Sequence, residues 1–396
     1  MADLSTEILG IAFESPFLLA SAPPAASIAG LEQAFSLGWS GAVLKTIVPA
    51  DLEMREASPR YGFWWKNKQL LALQNIELLS HESIASWVEG IKYLKKRFPR
   101  KVLIASIMAQ GKALAWQNLV QALEKAPLDA YELNFSCPHG MPEHGIGLAI
   151  GTSAEISQEI TSWVKAVTAR PVLVKLTAQV SDIVAISQAV LNAKADGLVA
   201  INTIPGFLGI DLKTLKPLLN IHGKTAVGGL SGPWLRPLGL RYVAQLRQNF
   251  AVPILGSGGI STWEDAAQYI AVGADAVQVC TAVMLHGYEI IQDLTQGLQD
   301  YLAQQGWASI ADLKNIAVKK IVSHEALNRE QILHPQIDLA KCSLCGHCVK
   351  ICAHNGHSAL AKAANKISCD ERCCVGCGLC PQVCPSGAIK LAVSQN

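Results

Sequence analysis

The sequence has no excess of charge of either sign. Its 396 residues include 33 Lys and Arg and 31 Asp and Glu, a formal net charge of +2. Proteins that bind nucleic acid or an anionic membrane through bulk electrostatics carry a strongly basic surface. The composition therefore predicts neither a nucleic-acid partner nor a membrane partner.

Long apolar runs and a targeting pattern are also missing. No uninterrupted apolar stretch reaches the roughly 20 residues that a transmembrane helix needs. The first ten residues, MADLSTEILG, carry an acidic residue where a secretory signal peptide has basic ones. We therefore expect a cytoplasmic protein.

The chain contains no strand followed by the G-x-G-x-x-G fingerprint of a dinucleotide site. The nearest string, GIGLAIG at 145–151, has different spacing. A nicotinamide or FAD site of that type is therefore not predicted.

Eight short segments rich in Val, Ile, Leu and Ala predict buried strands, and stretches of helical length follow most of them. Eight strand-helix units over roughly 300 residues are typical of a TIM barrel, although a doubly wound open sheet has the same alternation. The predicted strands are FLLASAP (17–23), GAVLKT (41–46), KVLIASIM (101–108), AYELNFS (130–136), PVLVKLT (171–177), GLVAINT (197–203), VPILGSGG (252–259) and AVQVCTA (276–282).

Polar residues and glycines end many of these strands, and barrel enzymes build their sites at those ends. A single Asn or Thr there is usually a turn or helix cap, but the recurrence favours a ring of site residues. The residues are Ser21, Lys45, Thr46, Asn134, Lys175, Asn202, Thr203, Gly258, Gly259, Cys280 and Thr281.

Most of the twelve cysteines lie in the last sixty residues. We place a domain boundary near Pro335, with a barrel domain over 1–334, including a helical linker from about 300, and a tail domain over 335–396. The tail spells C-x2-C-x2-C-x3-C twice, the pattern that holds two [4Fe-4S] clusters in a ferredoxin-like domain. Zinc sites more often use two separated C-x-x-C pairs.

In this pattern three thiolates of one motif bind one cluster, and the fourth binds the other cluster. Cys369 and Cys373 lie out of register and are interpreted as spare thiols. The predicted ligand sets are Cys342, Cys345, Cys348 and Cys384 for the first cluster, and Cys374, Cys377, Cys380 and Cys352 for the second.

Two clusters relay single electrons, and a flavin usually converts them to a two-electron reaction. Without a dinucleotide fingerprint, the mononucleotide FMN is the better candidate. Barrels often bind phosphate in the loops after strands seven and eight, where this chain has GSGGI (256–260) and QVCTA (278–282). Tight turns are the alternative interpretation of these glycines.

From LLASAPPAAS to the second cysteine motif, the chain resembles the FMN and iron-sulfur part of the dihydropyrimidine dehydrogenases. The likeness is to the separate bacterial subunit and to the C-terminal portion of the long animal enzymes. The motifs that carry it are ASA (20–22), LKT (44–46), NIEL (75–78), IASIM (104–108), NFSCPHGM (134–141), GIGLA (145–149), VKLT (174–177), INT (201–203), GGLSG (228–232) and SGGI (257–260).

The resemblance implies the site residues one by one. The implied FMN contacts are Ala20, Ser21, Lys45, Thr46, Asn134, Lys175, Asn202, Gly228, Gly229, Gly258, Gly259, Cys280 and Thr281. The implied pyrimidine contacts are Asn75, Glu77, Asn134, Ser136, Asn202 and Thr203. Cys137 corresponds to the catalytic acid on a loop that closes over the substrate, with His139 nearby.

The expected reaction is the reversible reduction of the C5=C6 bond of uracil or thymine, with a hydride from FMN and a proton from Cys137. A thiol with a pKa near 8.5 is mostly protonated at neutral pH, so it can act as this acid. The alternative for a lone cysteine at a strand end is a buried structural residue.

Two other functions remain open. A dihydroorotate dehydrogenase shares the barrel, FMN and a cysteine base, but typically has Asn where this chain has His139. An electron-transfer subunit would hold the cofactors without a substrate. In the favoured interpretation, NADH or NADPH is oxidised by a partner, which the resemblance identifies as an FAD-containing iron-sulfur subunit.

Overall fold

A computed structural model describes residues 2–50, 55–135 and 148–393. The chain divides into two compact units, Met1–Ile321 and Val322–Asn396. No helix among the described residues is long and apolar enough to cross a membrane.

The first unit is built on a closed barrel of eight parallel strands, each paired with its neighbours in chain order. This barrel confirms the TIM-barrel prediction and excludes the open doubly wound sheet. The strands are β1 (Phe17–Leu19), β2 (Gly41–Val43), β3 (Val102–Ile107), β4 (Ala130–Asn134), β5 (Val172–Lys175), β6 (Gly197–Ala200), β7 (Ile254–Ser257) and β8 (Ala276–Val279).

Helices cover the outside of the barrel, and side chains at their N-termini satisfy free backbone N-H groups. Ser27, Ser83, Ser153 and Asp182 each accept such a bond, and Thr262 forms a capping box with Asp265. The helices are Ile28–Leu37, Ile84–Arg97, Ala113–Leu123, Leu148–Gly151, Ala154–Lys165, Ile183–Asn192, Arg236–Asn249, Trp263–Ala271, Thr281–His286, Ile290–Gln304 and Ile310–Leu313, with single 3-10 turns at Pro23–Ala25, Pro233–Leu235 and Val318–Lys320.

The barrel interior is layered, because successive residues of a strand face opposite sides. In β4, Ala130 joins an apolar interior cluster, Tyr131 packs in the outer core, and Glu132 is buried again on the inner side. The antiparallel hairpin Thr6–Ile8 and Ile11–Phe13 adds Ile8 and Phe13 to the interior cluster. The apolar layer is therefore backed by a hairpin, which leaves the opposite end of the barrel for polar groups.

A four-stranded antiparallel sheet joins segments inserted after β2 and β6. Its strands, in spatial order, are Ile204–Gly206, Gly228–Ser231, Gln69–Asn75 and Tyr61–Lys66. Most of the aromatic and basic stretch 59–73 lies in the hairpin of Tyr61–Lys66 and Gln69–Asn75, whose register shifts between Trp64 and Trp65. A further pair, Ile210–Asp211 with Lys216–Pro217, lies in the second insertion.

The second unit is small and rich in cysteine. Strand Leu333–Ile337 pairs with Ile389–Val393, and Leu360–Lys362 pairs with Ile367–Cys369. Its helices are His347–His354 and Leu379–Gln382, and a 3-10 turn spans His324–Ala326. Its core holds four buried residues, Cys348, Leu360, Ile367 and Ile389, with five more cysteines packed around them. The fold agrees with the predicted ferredoxin-like tail.

Candidate active site and metal centres

A cleft with about 1030 Å³ of empty space, open solvent included, lies at the carboxyl ends of the barrel strands. It has the size of a cofactor and substrate site. Fourteen of the predicted barrel residues line it: Ala20, Ser21, Lys45, Thr46, Asn75, Glu77, Asn134, Lys175, Asn202, Thr203, Gly258, Gly259, Cys280 and Thr281. Ser136, Cys137 and His139 lie outside the described residues.

The hydroxyl of Thr46 is the centre of a hydrogen-bond network on one wall of the cleft. It lies 3.1 Å from the hydroxyl of Ser21 and 3.0 Å from that of Ser106. Asn134 donates its Nδ2-H to Thr46 Oγ1 at 3.0 Å, and Asn202 Nδ2 lies 3.4 Å from Asn134 Oδ1. The strand ends therefore hold two amide side chains in fixed positions on this wall of the cleft.

The carboxylate of Glu77 collects three donors. Lys45 Nζ lies 3.2 Å from Glu77 Oε1, Arg60 Nη1 lies 3.1 Å from Oε2, and the Tyr61 hydroxyl donates to Oε2. Burial raises the pKa of Tyr61 far above its ordinary value, and the Glu77 carboxylate adds to this effect. Tyr61 therefore remains a neutral donor to the Glu77 carboxylate, which lies beside Lys45.

A second buried charge pair lies in the barrel interior. Lys175 Nζ donates to Gln278 Oε1 at 2.9 Å and lies 3.4 Å from Glu132 Oε1. Gln278 donates in turn to Glu132 Oε2 at 2.6 Å. Glu132 is fully buried, so its charge requires both partners. This trio fixes the ammonium group of Lys175 at the floor of the cleft.

Two pairs of glycines adjoin the site in different ways. Gly258 and Gly259 have φ values of +116° and +73°, which residues other than glycine rarely adopt. Both glycines line the cleft, so their backbone is exposed to it. Gly228 and Gly229 are not among the lining residues. A Cβ on Gly229 would lie 2.4 Å from Thr203 Oγ1 and 2.8 Å from Asn75 Nδ2, so this glycine lets two predicted substrate contacts approach the sheet.

Burial raises the pKa of the Cys280 thiol to about 11, although Lys175 and Lys45 act in the opposite direction. Its Sγ lies 3.7 Å from Met284 Sδ. The thiol is therefore protonated at neutral pH and lies against another sulfur, in agreement with a structural role for this side chain.

Several residues of the site are missed by the sequence analysis. Tyr61 and Ser231 reach the cleft from the inserted sheet, and Ser231 Oγ lies 2.9 Å from Thr281 Oγ1. Ser106, Glu132 and Gln278 lie inside predicted strands. A single polar residue within an apolar strand could have marked the last three, because a buried polar group needs a partner.

The second unit contains two cavities, each lined by one predicted set of four thiols. Cys342, Cys345, Cys348 and Cys384 line one cavity. Cys352, Cys374, Cys377 and Cys380 line the other. Each cavity takes three cysteines from one motif and one from the other. Four convergent thiols are the donor set of a [4Fe-4S] cluster, so these residues fit that group.

Comparison with known proteins agrees with the architecture. The model of the family described as dihydroorotate dehydrogenase matches residues 3–302. The chain belongs to the dihydroorotate dehydrogenase family. The matched region ends before the cysteine-rich unit, so membership in this family describes the barrel.

Three similar proteins are named either as dihydropyrimidine dehydrogenases or as dihydroorotate dehydrogenases. The chain is 36% identical over 395 residues to the NAD-dependent dihydropyrimidine dehydrogenase subunit PreA of Escherichia coli (strain K12), covering 98% of this chain and 95% of that protein. It is 33% identical to the chloroplastic dihydropyrimidine dehydrogenase (NADP(+)) of Arabidopsis thaliana, covering 83% and 80%. It is 34% identical to the catalytic subunit of dihydroorotate dehydrogenase B (NAD(+)) of Pyrococcus furiosus, covering 80% and 99%.

These relatives confirm the predicted resemblance and place the chain among oxidoreductases. A similarity that covers 98% of this chain must include most of the cysteine-rich unit. The similarity to the bacterial dihydropyrimidine dehydrogenase subunit therefore extends over both units.

Proposed function

We propose that the chain is the catalytic subunit of a dihydropyrimidine dehydrogenase and reversibly reduces the C5=C6 bond of uracil or thymine. The observation that carries this proposal is the set of Asn75, Asn134, Asn202 and Thr203 in one cleft. A planar pyrimidine presents alternating carbonyl and N-H groups, and amide and hydroxyl side chains match both.

The charges of the cleft favour a neutral substrate over orotate. Lys45 and Lys175, the lysines of the described lining, are paired with Glu77 and Glu132. A substrate carboxylate would have to compete with these internal carboxylates. Uracil and thymine carry no such charge, and their polar edges require hydrogen bonds only.

The residues proposed to hold FMN surround the same cleft. Gly258 and Gly259 would approach its phosphate with their backbone N-H groups, and Lys175 and Lys45 would face its polar ring edge. Bound FMN would supply the hydride, and two [4Fe-4S] clusters held by the tail thiols would supply single electrons. The proposal keeps the division into a barrel domain over 1–334 and a ferredoxin-like domain over 335–396.

Cys137 is proposed as the proton donor, with His139 beside it in sequence. Its neighbour Asn134 lines the cleft at the end of β4, three residues earlier. A protonated thiol at neutral pH can give its proton to the carbon next to the one that receives the hydride, and the thiolate can take it back in the reverse direction.

Electrons from NADH or NADPH are proposed to enter through a separate FAD-containing iron-sulfur subunit. The support is the missing dinucleotide fingerprint and the word "subunit" in the name of the bacterial relative. A cytoplasmic location is part of the proposal, because cluster ligands must be reduced thiols.

The test is an anaerobic one. The chain, loaded with its cofactors, is reduced with a chemical donor, and its absorbance is followed while uracil, thymine or orotate is added. Reoxidation by uracil or thymine is expected, with loss of at least about 100-fold in rate for Cys137→Ala, the usual range for a general acid. The control is Cys373→Ala, which removes an exposed thiol of the tail.

Each other outcome contradicts a stated part of the proposal. Reoxidation by orotate alone would identify a dihydroorotate dehydrogenase, and reoxidation by none of the three would identify an electron-transfer subunit. An unchanged rate in Cys137→Ala would remove this residue as the acid. Rapid reduction of uracil by the isolated chain from NADH would contradict the need for a partner.

A further inference from the structure

His334 is a half-buried residue with one buried ring nitrogen, and the proposed function does not use it. It lies on strand Leu333–Ile337, paired with Ala392. Its ring atom Nδ1 is inaccessible to solvent and has no hydrogen-bond partner in the described structure. Buried polar groups in folded proteins are nearly always paired, so an unpaired one calls for an explanation such as a missing ion or ligand.

The surroundings of His334 supply that explanation. A ring nitrogen of His334 and the sulfur atoms of Cys369 and Cys374 all lie within 4.8 Å of one another. Cys374 lines the second thiol cavity, whereas Cys369 lines neither cavity. The same cavity is lined by Pro335, the residue after His334, and by Leu391, the strand partner of Pro335. The histidine therefore lies beside one proposed ligand of the second cluster.

The two cavities differ in their surroundings. The first is bordered by the side chains of Ile337, Ile367 and Ile389 and by the hydroxyls of Ser343 and Ser386. The second has His357 in its lining and His334 close to Cys374. Histidine side chains therefore lie at the second cavity, whereas in the first cavity the backbone N-H of Ala388 donates to Cys384 Sγ at 3.3 Å.

We propose that His334 donates an N-H···S hydrogen bond to the thiolate of Cys374 and thereby raises the reduction potential of the second cluster. This inference rests on the two clusters of the proposed function. Because the χ2 torsion of histidine is broad, rotation of the ring can shorten the distance between its nitrogen and the sulfur. Reduction adds negative charge to the cluster and its ligands, and a hydrogen bond to a ligand sulfur stabilises that charge.

The test compares the reduction potentials of both clusters, measured by EPR-monitored titration of the full chain, in wild type and in His334→Phe. Phenylalanine keeps a ring of similar size and removes the donor. The expected result is a more negative potential for one cluster only. The equilibrium constant should change about threefold to tenfold, or about 30 to 60 mV for one electron.

Two further variants test whether the shift in potential comes from the N-H donor of His334. His334→Gln keeps an N-H donor and should recover part of the shift. His324→Phe makes the same change at an exposed histidine of the same unit and should move neither potential. Equal shifts of both clusters, or no shift in His334→Phe with full cluster content, would overturn the proposal.

Wild-type protein labelled with ¹⁵N-histidine provides a measurement that depends on no variant. A hyperfine coupling between the reduced cluster and a histidine nitrogen is expected, and it should disappear in His334→Gln with natural-abundance glutamine. Its absence in wild type would overturn the proposal even if His334→Phe fails to fold. Wild type without any [4Fe-4S] signal would instead contradict the proposed function.

Discussion

Tyr61 shows how a residue outside the barrel can set the properties of the site. Its hydroxyl donates to Glu77, which also accepts bonds from Lys45 and Arg60. Removing one of the three donors makes the position of the Glu77 carboxylate less fixed but does not alter the reacting atoms. Tyr61 is therefore a positioning residue, and its loss should weaken substrate binding more than it slows the chemical step.

Tyr61→Phe is expected to raise KM for the pyrimidine at least about tenfold with a smaller change in kcat, since hydrogen bonds to charged groups contribute about 1.5 to 3 kcal/mol. Steady-state kinetics with an artificial electron donor measure both constants. Tyr93→Phe is the matched control, because the Tyr93 hydroxyl bonds to a carboxylate, Glu32, at an exposed position. Equal effects of the two variants would refute a specific role for Tyr61.

The buried thiol of Cys280 leads to a prediction about pH. Its pKa is raised by burial from 9.0 to about 11. Only the thiolate reacts with iodoacetamide, so alkylation should be about 100-fold slower near pH 8 than for the same cysteine in the unfolded chain. The rate should keep rising with pH until about pH 11. Mass spectrometry of the Cys280 peptide from cofactor-free protein measures it, and a plateau near pH 9 would contradict the shift.

The eight barrel strands follow from local sequence, whereas the inserted sheet does not. Each barrel strand is a short apolar run buried on both sides, and such runs are visible without knowledge of the fold. The sheet instead pairs Gln69–Asn75 with Gly228–Ser231, more than 150 residues away. No local pattern records that pairing. For this reason Tyr61 and Ser231 escape prediction, and Asn75 is predicted only through the family resemblance.

Gly229 shows how the inserted sheet controls the cleft. Gly229→Ala would place a methyl group against Thr203 and Asn75, so both should move and substrate binding should weaken at least about tenfold. Gly206→Ala is the control on the neighbouring strand, where the new Cβ meets the flexible end of Leu230. Calorimetric titration with uracil measures the affinity, and circular dichroism verifies folding. Equal affinity in both variants would contradict the role of Gly229.

The two cysteine motifs depend on each other for cluster binding, because each cavity is lined by three thiols of one motif and one thiol of the other. Spacing along the chain predicts these sets, and the cavities bring together the same residues. This exchange of ligands distinguishes the unit from one with two independent metal sites. A cysteine at the end of one motif should be required for the cluster held by the other motif.

Cys384→Ala tests this coupling. Cys384 belongs to the second motif but lines the first cavity, so its loss should abolish the first cluster and spare the second. About half of the iron and acid-labile sulfide should remain, and one of two EPR signals should disappear. Cys352→Ala should remove the other signal, and Cys373→Ala, at an exposed thiol outside both cavities, should remove neither. Loss of the same signal in Cys384→Ala and Cys377→Ala would show that each motif binds its own metal.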